Sequence, residues 1–309
     1  MLRDLRYAIR MLVKTPGFSL IAIVALALGI GASTTNFSSI NALLLRPLPL
    51  MQNQEKLVYL TEYFTKMPDQ DAGVSLPDYL EWKKRATLLD GVGACDGATF
   101  ILAGGDKPER YLGAHISADA FSFLGVQPIM GRQFRADEEQ LTAAPVALIG
   151  YDVWQNHFGA DRAVVGKTVL LNGKQTTVVG VMPKGWRFPE ESDIWMPLLP
   201  EVKEHQRGNF YLFGFGRLKT GVSIEQARAE MKSINEEIAR EFPNTNTGCM
   251  VKVNNFREEA VKDHRTLVIL VMGAVLFVHL IACANVANLL LARGATRAKE
   301  MCNSATVSS

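Results

Sequence analysis

The residues best suited to move a proton or hold a metal are five histidines: His115, His157, His205, His264 and His279. Their spacing serves neither purpose. No two stand four apart on one helix face, and none neighbours a carboxylate at ligand spacing, so no metal centre is expected. Asp137-Glu138-Glu139 is a run of carboxylates that reads as a solvated turn. Gly214-Phe215-Gly216 shares glycines with phosphate-cradling loops but lacks the GxxxxGK[ST] pattern, and GxSxG and HExxH are missing as well. The chain is therefore expected to be no enzyme and to bind no cofactor. Cys95 and Cys249 are the two thiols of the central region, and an oxidising compartment would permit a disulfide between them, although no spacing supports one. Cys283 and Cys302 lie towards the C-terminus, outside any CxxC pair.

The elements that must position these residues are set by two apolar runs. Leu267 to Leu291 holds no charged residue, and roughly 20 apolar residues suffice for a helix to cross a bilayer. Arg293, Arg297 and Lys299 follow it at once. The other run, residues 18–45, stands behind Arg3, Arg6, Arg10 and Lys14. Basic flanks mark the cytoplasmic side, so both termini are expected inside and residues 46–265 outside. Residues 1–17 read as an amphipathic basic helix suited to the lipid headgroup layer. A mean hydropathy of +0.07 then averages two apolar spans, 18–45 and 266–292, with a polar middle. The net charge of +2, with no basic stripe, excludes a nucleic-acid partner.

Within the spans, Ala25, Gly29 and Ser33 form a small-residue row that lets another helix approach closely. Asn285, Asn288 and Ala292 share one face of the second span and are expected to bond across helices. His279 in the same span is either a functional ionisable group or a packed neutral one. Ala25-Leu26-Ala27 also resembles a signal-cleavage site, which would give a secreted binding module instead. A bitopic sensor with an external ligand domain is a further alternative, and it would need a larger cytoplasmic output domain than the tail supplies.

The external region reads as two β-α-β units around an insertion. Leu57–Leu60 is a strand. Ser75 caps a helix with Pro77 in its first turn, and Val92–Cys95 and Thr99–Leu102 are two short strands. Phe210–Leu218 is a strand, Ser223 and Gln226 fit a capping box, and Ala227, Met231, Ile234 and Ile238 stripe the helix that follows. Met250–Val253 is the last strand. Together these units, about 55–105 and 209–258, predict a ferredoxin-like split βαβ sandwich. Residues 106–208 predict a separate strand-rich α+β lobe, with short helices at Ala118–Leu124 and Tyr151–Phe158 and a hairpin at Asn172-Gly173.

Several stretches in order resemble one family. They are Asp4 to Arg10 with Thr15-Pro-Gly-Phe18, Leu26–Ser33, Gly131-Arg-Gln-Phe134, Val178–Pro183, Gly216–Ser223 and Leu280–Arg293. The chain resembles the MacB/FtsX-type ABC transporter permeases, closest to their branch with duplicated modules. The resemblance implies a periplasmic core domain of porter and sabre lobes, matching the two βαβ units and the insertion. It also implies a separate cytoplasmic ABC ATPase as partner, and pairing with a second copy or second permease module in a lipid membrane. Arg293, Arg297 and Lys299 match the start of a cytoplasmic coupling helix. Cys302–Ser309 departs from the family pattern, so the surface for the ATPase is expected to be incomplete.

Overall fold

The computed structural model describes residue 31 and residues 50–103, 107–189, 191–199, 207–259, 269–277, 280, 281, 283 and 284. Residues 47–260 form one compact unit, and residues 1–46 and 261–309 group into another. In the second unit, 269–277 are helical, and Ile269, Leu270 and Phe277 are exposed. Among the described residues no helix is long and apolar enough to cross a membrane. Most of the two apolar runs lies outside the described residues.

The compact unit is built on strand β1, Leu57–Phe64. Its first six residues are buried on both faces, which is why LVYL reads as a continuous apolar run. Strand β2, Met67–Ser75, returns from it. Ser75 then caps α1, Leu76–Arg85: its Oγ accepts the Asp78 amide at 3.3 Å, and Tyr79 and Trp82 face the core. Strand β3, Leu89–Ala103, follows. After the insertion come β10, Phe210–Leu218, α4, Ile224–Glu241, and β11, Cys249–Asn255. The Ser223–Gln226 capping box closes both ways. Ala227, Met231, Ile234 and Ile238 are all buried.

These strands lie in the order β11-β1-β10-β3 with antiparallel neighbours. β1 and β3 are thus parallel with β10 between them, the arrangement of a split βαβ sandwich. α1 and α4 cover one face, over a core that includes Leu60, Val74, Trp82, Leu212 and Val253. β2 enters where β1 and β10 diverge. Leu57–Leu60 pair with Gly214–Arg217, whereas Glu62–Phe64 pair with β2, which also bonds β10 at Phe210 and Leu212. Nothing in MPDQDAGVS announces this strand, because it is polar and five of its residues are exposed.

Two expectations need correction. Val92–Cys95 and Thr99–Leu102 are parts of one 15-residue strand, not two. The one glycine between them, Gly97, does not break it, and neither do two glycines nearer its start. Gly91 and Gly93 lie under the Phe123 ring, where an added Cβ would come within 2.5 and 2.7 Å of ring carbons. The insertion is also not closed off as a separate lobe, because β3 runs out of the βαβ strands and pairs with β4, Glu109–Ile116, along its outer half. From β4 the sheet continues through β9, Ile194–Pro197, β6, Val146–Ile149, β8, Lys174–Val181, and the two-residue β5, Met130–Gly131.

Within the insertion, β7, Thr168–Leu171, joins β8 through Asn172 and Gly173. Both turn residues have positive φ, 48° and 75°, as an Asn-Gly hairpin requires. The short helices are α2, Ala120–Leu124, and α3, Tyr151–Asn156, each a little shorter than expected. A one-turn helix, α5, Pro243–Asn246, follows α4.

Candidate functional site

The described residues hold no group of three or more His, Cys, Asp or Glu placed for a metal ion. His157 Nδ1 lies 3.2 Å from Glu109, which the Tyr111 hydroxyl also contacts. Hydrogen bonds from Tyr111 and then His157 hold the exposed Glu109 carboxyl below the usual range. His115 packs edge-on against Phe100. His205, His264 and His279 lie outside the described residues, as do Ala25, Gly29, Ser33, Asn285, Asn288, Ala292, Arg293, Arg297 and Lys299. Cys95 and Cys249 are both buried. They sit on the outer strands of a four-strand run and are offset along it, more than about 14 Å apart at about 4.8 Å per strand, so no disulfide joins them.

Asp137-Glu138-Glu139 is solvated only at Asp137. Glu138 is buried, accepts from Arg132 at 2.6 and 3.0 Å, and accepts the Arg135 amide at 2.8 Å. Burial pushes its carboxyl up, but Arg132, the Arg135 amide and Arg135 outweigh that and hold it low. Glu139 accepts the Ala118 amide at 2.6 Å. The acids pin the loop after β5 onto the approach to α2. Gly214 and Gly216 lie inside β10 rather than in a loop. A Cβ on Gly214 would stand 2.6 Å from the Leu60 carbonyl, so glycine there lets two strands meet closely.

The arrangement with most consequence is the neck of the compact unit. β1 begins where β11 ends, with Val58 opposite Asn255 in an antiparallel pair. The segment leading into β1 is shaped by Leu50 and Asn53 at positive φ, 73° and 48°, and by a 3-10 turn at Gln54–Lys56. It is held by Arg217 of β10. That guanidinium donates Nη2 to Gln52 O at 2.5 Å, Nη1 to Asn53 O at 3.0 Å and Nε to Phe123 O. One cation thereby ties the incoming segment, β10 and α2 together. Burial draws the Arg217 guanidinium below its ordinary value, with Glu55 and Asp90 opposing. The Gln52 amide also donates to Leu124 O at 3.3 Å.

The outgoing segment is held as firmly. Asn255 Oδ1 accepts the Arg257 amide at 3.0 Å, which caps the turn at 256–259. Phe256 is buried against Phe188, with ring centroids 5.6 Å apart, and against Phe213 at 6.0 Å. Phe188 in turn meets Phe215 at 5.2 Å and Trp186 at 5.9 Å, and Trp186 meets Phe121 at 6.3 Å. An unbroken series of rings thus runs from the outgoing segment into the insertion. Between the Asn53–Glu55 and Asn255–Glu258 turns lies an open cleft of about 550 Å³. Sequence reasoning passed over Arg217. The available signal was one arginine closing an otherwise uncharged strand, Phe210–Leu218.

Residues 47–260 are thus a mixed α+β domain whose two chain ends leave side by side, with the chain continuing on both sides of it. The MacB-like periplasmic core domain family matches residues 19–234, and the chain belongs to that family, the extracytoplasmic domain of ABC-type transporter permeases. The fold is similar to the periplasmic region of MacB from Actinobacillus actinomycetemcomitans, at 15% identity and a TM-score of 0.50 over 72% of this chain and 97% of that one. The extracellular domain of the noncanonic ABC-type transporter YknZ from Gram-positive bacteria is 15% identical, with a TM-score of 0.48 over 63% of this chain and 99% of that one. No curated protein sequence matches the chain.

Proposed function

We propose that this chain is a permease subunit of a MacB/FtsX-type ABC transporter, and that its external domain is moved through the neck in an export or efflux cycle. The observation carrying this reading is the pairing of β1 with β11 at Val58 and Asn255. Two segments that leave together can be pushed or turned as one by the membrane spans read at residues 18–45 and 266–292. Arg217 and the Phe256–Phe188 contact would pass that displacement into both halves of the sheet. A separate cytoplasmic ABC ATPase, the partner that the family resemblance implies, would supply the energy. Both termini would be cytoplasmic in the cell membrane, with a second copy or second permease module as the membrane partner. The packing residues would be Ala25, Gly29, Ser33, Asn285, Asn288 and Ala292, with Arg293, Arg297 and Lys299 on the cytoplasmic side.

The test has two arms. A cysteine at the exposed Lys174, in a chain with its own cysteines replaced, should react with an impermeant maleimide in intact spheroplasts; reaction only after lysis would refute the topology. The full chain reconstituted with an ABC ATPase should show ATP-dependent change in the distance between spin labels in the domain and in the second span. ATP turnover without such a change would refute the coupling role.

A further inference from the structure

The neck lies at one end of β1. At the other end is Glu62, a carboxylate on a strand facing the apolar core, with none of its surface exposed. Its Oε1 accepts the Cys249 thiol at 3.3 Å, and its Oε2 is buried with no hydrogen-bond partner among the described residues. A second fully buried carboxylate, Asp78, stands in the first turn of α1. Asp78 is fully engaged: Oδ2 accepts Ser75 Oγ at 2.6 Å and Asn246 Nδ2 at 3.0 Å, and Oδ1 pairs with Arg207. Arg207 lies 3.6 Å above the ring of Phe242, the residue between α4 and α5.

The charges do not balance if both acids are ionised. The groups acting on Glu62 are Asp78 from α1, Cys249 from β11, the Ser75 amide from β2, and Arg207 from the segment before β10. α4 contributes the neutral Asn235, whose Nδ2 bonds Cys249 O at 3.0 Å. Asp71 and Lys252 pair with each other beside Tyr63, which alternates to the opposite face of β1 from Glu62. Among the described residues one guanidinium therefore serves two buried carboxylates, and it is in contact with Asp78. An unpaired buried charge is costly enough that the group takes a proton instead.

We propose that Glu62 is a reversible proton-binding site whose proton latches the far end of the domain, where β1, β11, α1 and α5 converge. With the proton bound, Glu62 is neutral and Arg207 balances Asp78. When the proton leaves, a second negative charge appears in a fully buried space, and the site opens to hydrate it. Burial pushes the Glu62 carboxyl up to about 8, with Asp78 adding to the rise and Cys249, Ser75 and Arg207 opposing it. The latch is therefore closed in acid and neutral media and released as pH rises through that value. An extracytoplasmic domain meets such changes directly, so the structure carries a response to external pH at the end away from the neck.

The experiment uses the full chain in lipid nanodiscs. Infrared difference spectra should show a protonated carboxyl that disappears between about pH 6 and about pH 9.5. Glu62→Gln should abolish that band, and Asp78→Asn should move its loss to lower pH. Amide exchange at Phe64, Cys249 and Asn246, corrected for intrinsic rates, should quicken about a hundredfold over the same interval in the parent chain, levelling off above the value at which the carboxyl ionises. It should stay slow in Glu62→Gln. A chain with no titrating carboxyl in this interval, or the same exchange response in Glu62→Gln as in the parent, would overturn the proposal. So would an unmoved titration in Asp78→Asn.

Discussion

Val58 and Asn255 are direct cross-strand partners, although nearly the whole compact unit lies between them in sequence. An antiparallel pair sets such residues about 5 Å apart, so the two chain ends of the domain are adjacent. A force applied at this neck acts on both ends at once, and the side chains that brace it become the residues to test.

Arg217 is the first. Three backbone carbonyls depend on its guanidinium. Arg217→Ala should destabilise the domain by about 2–4 kcal/mol, since charge-assisted bonds are worth about 1.5–3 kcal/mol each and act as one group. Arg217→Lys should recover only part of this, because an ammonium cannot span the fork. Thermal unfolding of the full chain in detergent measures both, and equal stability of Arg217→Lys and the parent would remove the clamp from the argument.

Phe188 is the second. It contacts Trp186, Phe213, Phe215 and Phe256 at once. Phe188→Ala should cost about 2–4 kcal/mol, somewhat under a fully buried phenylalanine because the ring is only partly buried. Amide exchange at 256–259 should quicken more than at α1, which the ring does not touch. Uniform quickening would mean that Phe188 merely stabilises the whole domain.

Glycines in the long sheet separate into those that fit a close approach and those that do not. A methyl group on Gly113 would collide with the Ile194 carbonyl and lie 2.6 Å from the Phe100 ring, whereas Gly97 has open space. Gly113→Ala should therefore destabilise by about 2 kcal/mol or more, and Gly97→Ala by less than about 0.5 kcal/mol. Comparable melting temperatures for the two variants would contradict the packing between β4 and β9.

Glu138 gives a pH dependence of opposite sign to that of Glu62. Its carboxyl is held low, so the stability it contributes is present above the usual carboxylate range and is lost as pH falls through the lowered value. Glu138→Gln should flatten the acid limb of the stability–pH curve and lower stability at neutral pH. An unchanged acid limb would show that Arg132 and Glu138 do not hold the loop.

The buried thiols should be inert. Burial and the neighbouring Glu62 carboxyl push the Cys249 thiol well above its ordinary value, and Cys95 is also buried. A thiol reagent should modify neither in the folded chain and both after unfolding, as mass spectrometry of peptides will show. Rapid modification of Cys249 at neutral pH would mean that the end of the domain at Glu62 is already open.

The sequence alone determined the local elements whose signals are carried by neighbours in the chain. The Ser75 cap, the Ser223–Gln226 box, the stripe Ala227-Met231-Ile234-Ile238 and the Asn172-Gly173 hairpin all follow from residues within a turn or two of each other. The family was legible too, from short motifs in a fixed order. Only the tertiary structure decided what those motifs do. Gly216-Arg217-Leu218 reads as the end of a strand until the fold places Gln52, Asn53 and Phe123 around the guanidinium. Strand β2 was hidden because its pairing comes from the gap between β1 and β10, not from its own polar residues. Asp137-Glu138-Glu139 looked solvated because charge predicts exposure, whereas Arg132 makes burial of Glu138 tolerable. Glu62 and Asp78, sixteen residues apart, share one cation only because β1 and α1 fold against the segment bearing Arg207, a long-range encounter that no local spacing encodes.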